Sequence, residues 1–192
     1  MEYDFFAFLA RMKYIKRWSL MHSIVEENIM EHTEQVAVIA HALAVIKNTC
    51  FNGNVDTEKV VMYALYHETG EVITGDLPTP IKYFNDDIRS AYQDLELTAC
   101  KKLLDKLPDE LKPVFSQYVL HDPQSQEYRI VKYADRIAAY IKCIEETKSG
   151  NSEFKKAKKS IEKDILSFDA EEVGYFMEKF VPSYKKTLDE LD

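Results

Sequence analysis

The sequence predicts an all-α protein, a single domain over residues 1–192 built as a bundle of about seven or eight helices. Apolar residues recur at helical spacing in nearly every segment, and no stretch alternates with the period of two that is typical of a strand. The chain has only five glycines and six prolines, too few turn residues for a sandwich or barrel with many hairpins. At 46% hydrophobic residues, it has enough apolar material for a sizeable core.

The first two helices are predicted from apolar spacing and a capping signal. Residues 3–13 form a short helix, and a loop over residues 22–28 follows it. Asn28 precedes Glu31 by three positions, a loose capping box that begins a long helix reaching about Asn48.

A polar break at residues 52–54 separates this helix from the next. Asp56 is the expected N-cap of a third helix, which carries His67-Glu68 near its end and stops before Gly75. Residues 75–80 contain two prolines, which restrict themselves and their predecessors, so this segment is predicted to be an ordered loop.

The second half of the chain continues the pattern. A long helix begins at Asp86 and stops before Pro108, which itself begins the next helix, and Asp122-Pro123 forms a turn. The remaining helices are predicted at residues 127–149, 152–167 and 170–190, the last of them bent near Pro182.

Charge and cysteine usage exclude several classes of protein. With 25 Lys and Arg against 33 Asp and Glu, the net charge of −8 argues against binding a nucleic-acid polymer. The three cysteines are widely spaced and form no Cys-x-x-Cys pair, which favours a reducing compartment. No segment has the features of a signal peptide or the ~18 apolar residues of a membrane span. We therefore expect a cytoplasmic protein that does not bind membranes.

Three potential metal ligands lie close together in the third helix. His67 and Glu71 are four positions apart, which places both on one helix face, and Glu68 lies beside His67. The segment around them is apolar, and buried acids need a partner such as a metal ion. His32 on the preceding long helix and Asp135 in an apolar run complete a nitrogen-and-oxygen ligand set, His32, His67, Glu68 and Asp135. A buried polar cluster without metal, with Arg136 as the partner of Asp135, is the alternative.

The order of these residues resembles that of the HD-domain metal phosphohydrolases. More narrowly, four segments resemble the bacterial 5′-deoxynucleotidases of the YfbR type: Arg17-Trp18, ENIMEH at 27–32, YHETGEVITGDLPTPIKYFN at 66–85 and VKYADRIAAYIKCIEE at 131–146. The resemblance covers essentially the whole chain, and the GDLPTPIKYFN element is long and specific.

The resemblance implies an activity, a cofactor and a set of site residues. The family hydrolyses 5′-deoxyribonucleoside monophosphates, needs a divalent transition metal such as Co²⁺ or Mn²⁺, and forms homodimers. By position, the metal ligands are His32, His67, Glu68 and Asp135, and the catalytic carboxylate is Glu71. Also by position, Arg17 contacts the phosphate, where it acts in catalysis, and Trp18 contacts the 2′ side of the sugar. The other implied substrate contacts are His32, Asp76, Asp135, Thr79, Pro80, Ile81 and Lys82.

One position departs from the family pattern. The family's second motif is His-Asp, whereas this chain has His67-Glu68, so one ligand is longer by a methylene group. Both carboxylates bind divalent ions, but a shift near 1 Å can cost about a hundredfold in rate. A nucleotide-binding protein with reduced or lost turnover is therefore the second hypothesis. The only His-Asp pair, His121-Asp122, precedes a proline, and we expect it to be a loop without function.

Overall fold

The computed structural model describes residues 2–191, so the predicted domain limits at residues 1 and 192 lie outside it. The α-helices in chain order are α1 (Phe5–Leu9), α2 (Ile29–Cys50), α3 (Thr57–Tyr66), α4 (Glu71–Thr74), α5 (Thr79–Lys82), α6 (Asp86–Leu104), α7 (Lys112–Val119), α8 (Gln126–Lys148), α9 (Phe154–Leu166) and α10 (Glu171–Lys179). Short 3₁₀ helices cover Ala10–Tyr14, Val181–Lys185 and Leu188–Glu190.

The all-α prediction is confirmed. Over residues 2–191 the structure has no named strand, and its one β-bridge is an isolated pair between Lys16 and Asn28. The helices of eight residues or more are α2, α3, α6, α7, α8, α9 and α10, which agrees with the predicted seven or eight. In this part of the chain, no helix is long and apolar enough to cross a bilayer.

The core consists of two clusters of buried side chains. The larger cluster lies among α2, α3, α8, α9 and α10, where Leu43 and Ile141 are completely buried. The smaller cluster joins α1 to the end of α6 and to α7 through Phe5, Leu103 and Val119. Helices α4 and α5 pack against α6, outside the larger cluster. The two clusters are therefore built from different elements.

Two predicted caps are confirmed. The Asn28 side chain accepts a hydrogen bond from the Glu31 amide at 3.0 Å, and Glu31 reaches back to the Asn28 amide. The Asp56 side chain likewise accepts from the Lys59 amide, which begins α3. These caps satisfy amides that have no intrahelical partner, so they fix where α2 and α3 begin.

The third helix is shorter than predicted. It ends at Tyr66, and residues 67–70 form turns before α4 begins at Glu71. Two features of the sequence explain the break. The His67 ring bonds the Ala64 carbonyl, which a continuing helix would use, and Gly70 is a poor helix former. His67 and Glu71 therefore do not share one continuous helix face.

Four other boundaries differ from the prediction. The helix expected over residues 3–13 changes to a 3₁₀ helix after Leu9. The loop predicted at residues 75–80 gives way to α5 at Thr79, because a proline is tolerated in the first turn of a helix. Pro108 begins a turn, and α7 starts only at Lys112. The final helix is broken at Phe180, before Pro182, rather than bent.

Candidate metal centre and its surroundings

The first turn of α2 places His32 inside the protein. The side chain is completely buried, and its Nε2 lies 3.0 Å from Asp135 Oδ1. Asp135 comes from the middle of α8, which packs against α2. Arg136, the alternative partner of Asp135, instead pairs with Asp164 of α9. The packing of two long helices therefore joins a histidine and a carboxylate that are 103 residues apart.

The turn after α3 supplies two more side chains. His67 Nδ1 lies 2.6 Å from the Ala64 carbonyl oxygen, so Nδ1 donates this hydrogen bond and Nε2 is the ring nitrogen that remains for another partner. The buried Nε2 makes no hydrogen bond within residues 2–191, and it lies 3.2 Å from Glu68 Oε1. The local backbone thus orients a ring nitrogen of His67 toward a carboxylate.

These four side chains form a group suited to a metal ion, the metal group. One donor atom from each of His32, His67, Glu68 and Asp135 lies within 4.8 Å of every other. Such a set of two imidazoles and two carboxylates suits a divalent transition metal. Within residues 2–191 the buried His67 Nε2 has no hydrogen-bond partner. This supports the fit, because burial of a ring nitrogen without any partner costs free energy. The structure thus brings together all four predicted ligands.

The charges of the group match a cation site. Burial and the nearby Arg17 lower the pKa of His32 to about 4, so the ring is neutral at pH 7 and free to bind a metal. Burial alone would raise the pKa of Glu68 and Asp135, but the neighbouring histidines hold both well below their ordinary values. Neutral imidazoles and ionised carboxylates are the forms that bind metals.

Glu71 begins α4 beside this group and is buried. Burial, and then repulsion from Glu68 and Asp76, raises the pKa of Glu71 to about 10. Its carboxyl group therefore keeps a proton at neutral pH in the metal-free chain. A titratable group shifted this far, next to a potential metal site, is typical of a proton-transfer residue.

Arg17 and Trp18 lie in an irregular segment between the first 3₁₀ helix and α2. Burial would lower the pKa of Arg17, but the charges of four nearby acids raise it: Asp135, Glu27, Glu68 and Asp76. The guanidinium group therefore lies among the acids of the site. Trp18 has a φ of 59°, in the left-handed region that few residues other than glycine adopt. Such strain is frequent at functional sites.

The segment from Asp76 to Lys82 borders the same acids. Burial, together with repulsion from Glu68, raises the pKa of Asp76, although Arg17 opposes this shift. Lys82 lies near enough to Glu71 and Glu68 to respond to their charges, but its ammonium group pairs with Glu96 at 3.0 Å. The three residues before it are exposed on α5: Thr79, Pro80 and Ile81.

Sequence reasoning did not identify two other groups beside the site. His121 lies in a loop, as predicted, but its ring stacks on Tyr128 with centroids 3.6 Å apart. Burial, and then the charges of Lys132 and His67, lower the pKa of His121 to about 4, so its ring lies within electrostatic range of His67. Glu27 contacts Arg17 and Trp18. The sequence signals for these two groups are the motif ENIMEH, which contains Glu27, and the His121-Asp122 pair, which we expected to have no function.

A scan against protein-family models matches residues 4–184 to "5′-deoxynucleotidase YfbR-like". A 5′-deoxynucleotidase of Vibrio cholerae is 50% identical over 99% of this chain and 98% of its own length. The 5′-deoxynucleotidase YfbR of Salmonella arizonae is 48% identical over 97% of this chain and 94% of its own. These matches extend over nearly the whole length of each protein.

Solved structures share the fold at lower identity. An HD-domain phosphohydrolase from Listeria innocua superposes with a TM-score of 0.83 at 21% identity, over 94% of this chain and 88% of that chain. A cyanophage S-2L HD phosphohydrolase, bound to dA and one catalytic Zn²⁺ ion, gives a TM-score of 0.62 at 17% identity, over 94% and 96% of the two chains.

Proposed function

Because the chain belongs to the YfbR-like 5′-deoxynucleotidase family, we propose that it hydrolyses 5′-deoxyribonucleoside monophosphates to a deoxynucleoside and inorganic phosphate. The resemblance seen in the motifs at residues 66–85 and 131–146 is thereby confirmed. The observation that carries the proposal is the metal group at His32, His67, Glu68 and Asp135. The buried carboxyl of Glu71 and the guanidinium of Arg17 stand beside it.

The four grouped side chains would hold a divalent transition ion such as Mn²⁺ or Co²⁺. When bound, such an ion supplies Lewis-acid stabilisation of the negative charge that the phosphate carries through the reaction. Arg17 offers a planar fork of donors to the phosphate oxygens and holds the phosphorus in line for attack by water. Its position among the acids of the site also offsets their repulsion of an anionic substrate.

Glu71 is the proposed proton carrier. Attack of water on phosphorus releases a proton, and departure of the nucleoside 5′-oxygen consumes one, so a single carboxyl group serves both needs. Burial and the neighbouring acids favour the protonated form of Glu71 at neutral pH. A divalent ion held by the four grouped side chains would favour the ionised form, which accepts a proton from water. Glu71 then returns that proton to the leaving oxygen.

Trp18 and Asp76 are the proposed sugar contacts. The indole ring of Trp18 leaves no room for a 2′-hydroxyl, which favours deoxyribose. Asp76 accepts a hydrogen bond from the 3′-hydroxyl. The stretch from Thr79 to Lys82 contacts the remainder of the nucleotide, and exposure of its first three residues leaves them accessible to a ligand.

The activity is tested by phosphate release from dAMP and AMP in the presence of Mn²⁺ or Co²⁺. We expect turnover of dAMP and much slower turnover of AMP. Equal rates on the two nucleotides would remove the assigned role of Trp18. Absence of phosphate release from any nucleotide with either metal would overturn the activity itself.

The rival hypothesis is a nucleotide-binding protein that has lost turnover through the Glu at position 68. The structure favours the enzyme, because Glu68 Oε1 lies in the metal group, 3.2 Å from His67 Nε2 and 3.9 Å from His32 Nε2. Glu68→Asp discriminates the two. A variant that gains about a hundredfold or more over an inactive parent would establish the rival, whereas an active parent excludes it.

We also propose that the protein is a cytoplasmic homodimer. In support, Ile81, Tyr83, Phe84 and Leu95 on α5, α6 and the turn between them are large apolar side chains that are 45 to 75% exposed. Exposed apolar patches are frequent at protein interfaces. Light scattering that gives the mass of one chain over the micromolar range would exclude a stable dimer.

A further inference from the structure

The segment that presents Arg17 and Trp18 has little regular structure to hold it. It lies between a 3₁₀ helix and α2, and Trp18 occupies a left-handed backbone conformation. Its backbone is supported by the isolated bridge between Lys16 and Asn28 and by a turn in which the Met21 amide donates to the Trp18 carbonyl oxygen at 2.8 Å. An irregular, strained segment keeps one conformation only when its surroundings over-determine it. The placement of these two side chains therefore depends on the side-chain contacts that they make and not on regular secondary structure.

One carboxylate oxygen contacts both side chains. Glu27 Oε2 accepts a hydrogen bond of 3.0 Å from the indole Nε1 of Trp18. The same oxygen lies 3.2 Å from Nε of Arg17, in an ion pair whose two side chains are 12 to 15% exposed. The Arg17 amide also donates to the Glu27 carbonyl oxygen at 2.9 Å. Glu27 thus contacts Arg17 through both its backbone and its side chain, and Trp18 through its side chain.

The contact on Arg17 involves Nε. The two terminal nitrogens of the guanidinium group point beyond Nε, and they carry the paired donors that fit a phosphate. The charges that Arg17 experiences include those of Asp135, Glu68 and Asp76, so the group extends toward the metal ligands. Within residues 2–191 this Nε makes no hydrogen bond, so Glu27 holds the guanidinium by charge. The carboxylate lies on the Nε side of the group and does not occupy the end that would meet the substrate.

The contact on Trp18 fixes the orientation of its ring. The indole packs on Phe154 with centroids 5.2 Å apart, which limits its translation, while the bond from Nε1 to Glu27 limits rotation about the side-chain torsions. A ring that excludes a hydroxyl by shape must be held within a fraction of an ångström to discriminate.

We propose that Glu27 is a positioning residue that couples phosphate binding to sugar selection. Its single carboxylate contacts both the Arg17 guanidinium, which would bind the phosphate, and the Trp18 indole, which would exclude ribose. This inference rests on the proposed function for the roles of Arg17 and Trp18, but the contacts themselves can be tested without catalysis.

Trp18 is the only tryptophan in the chain, so the protein's tryptophan fluorescence reports this site alone. The test uses the full chain with Glu27→Ala and Glu27→Gln. The matched control is Glu26→Gln, because Glu26 is the adjacent carboxylate but is exposed and pairs with Lys16. Circular dichroism and thermal melting of each variant establish that it folds.

For Glu27→Ala we expect a shifted Trp18 emission maximum in the ligand-free protein, a loss of about tenfold or more in kcat/KM for dAMP, and a dAMP to AMP preference reduced about tenfold. Glu27→Gln keeps an acceptor for the indole but loses the charge opposite Arg17. It should keep the emission and the sugar preference while inorganic phosphate inhibits it several-fold less. Glu26→Gln should match the parent in all three measurements.

The inference is overturned if Glu27→Ala folds and keeps both the parental emission and the parental dAMP to AMP ratio. It is equally overturned if the variant only melts at a lower temperature, because a purely structural role would leave the selectivity intact. Should the parent protein release no phosphate from any nucleotide, the proposed function fails. The emission of Trp18 would still show whether Glu27 holds the ring.

Discussion

The environment of Glu71 illustrates how single residues acquire chemical roles in this protein. A glutamate at the start of a four-residue helix is ordinarily a solvated first-turn acid. Here the carboxyl group is buried beside Glu68 and Asp76, and its pKa is raised to about 10 because a further negative charge is unfavourable. The same acids make the site attractive to a cation, and a bound cation would shift Glu71 toward its ionised form.

Glu71→Gln tests this role at the residue scale. Gln has nearly the same shape but carries no exchangeable acid proton, so we expect kcat on dAMP to fall by about 10² to 10⁴ while the melting temperature stays close to the parental value. Metal content, measured on the purified variant, should be unchanged because the grouped ligands remain. A variant with at least a tenth of the parental kcat would exclude Glu71 as the proton carrier.

The residues of the metal group could be predicted from the sequence, whereas their supporting contacts could not. Acids in apolar helices need partners, and this requirement singles out Glu68 and Asp135 from the sequence pattern alone. The contacts of Glu27 with Arg17 and Trp18 depend on the path of an irregular segment. Such a segment has no repeating apolar pattern from which its path could be predicted. The stacking of His121 near His67 depends on a loop for the same reason.

At the scale of elements, α8 anchors the loop that leads from Trp18 to Glu27. The buried carboxylate of Glu146 accepts bonds from the amides of Ile24 and Val25 at 2.9 and 3.2 Å. It also accepts from Lys142 at 2.7 Å and from Asn151 at 2.8 Å. A buried charge with four donors is fully satisfied, so this group holds an otherwise irregular loop against a regular helix.

The hydrogen bonds of the Glu146 carboxylate predict that the stability of the fold depends on pH. Burial alone would raise the pKa of Glu146, but its hydrogen bonds lower the value from 4.5 to about 2. Because the folded-state pKa is the lower one, the carboxylate stabilises the fold above pH 4.5, and this contribution is lost as the pH falls toward 2. The shift corresponds to about 3 kcal/mol at neutral pH.

Glu146→Gln should therefore be less stable than the parent at pH 7, and the difference should shrink by about 2 kcal/mol at pH 3. Urea unfolding at the two pH values measures both free energies. Glu145→Gln, on the adjacent and more exposed position of α8, is the matched control. A difference between Glu146→Gln and its parent that is equal at both pH values would show that charge at this position contributes nothing.

Two helix starts followed local capping signals in the sequence. The caps at Asn28 and Asp56 are local, and both were predicted. The end of α3 at Tyr66 was not, because it depends on a side chain of the next residue bonding back to the helix. The break at Phe180 was predicted only as a bend near Pro182, since the position of a proline does not tell whether the helix resumes after it.

At the scale of the whole molecule, the proposed metal ligands join three separate parts of the chain. His32 comes from α2, His67 and Glu68 from the turn after α3, and Asp135 from α8. An ion that binds only when these parts are assembled must stabilise the folded state. We therefore expect folding to be thermodynamically linked to binding of such an ion.

Mn²⁺ at a hundredfold excess over its dissociation constant should stabilise the protein by about 2.7 kcal/mol, or about 5–10 °C in melting temperature. Chelation should reverse the shift. His32→Ala should abolish it, whereas His41→Ala, an exposed histidine on the same helix, should retain it. Thermal melts with and without metal provide the measurement. An equal shift in both variants would place the ion elsewhere.

The division of the core into two clusters has a consequence for how a nucleotide enters and leaves. His32 and Asp135 belong to helices of the larger cluster, whereas α4, which carries Glu71, contributes Val72 to the smaller one and packs on α6. The boundary between the clusters thus passes between Glu71, the proposed proton carrier, and the proposed metal ligands on α2 and α8. A sub-global opening of the smaller unit would separate Glu71 from the ligands on α2 and α8 without global unfolding. We expect nucleotide release to track the local stability of this unit, which amide hydrogen exchange in α6 would report.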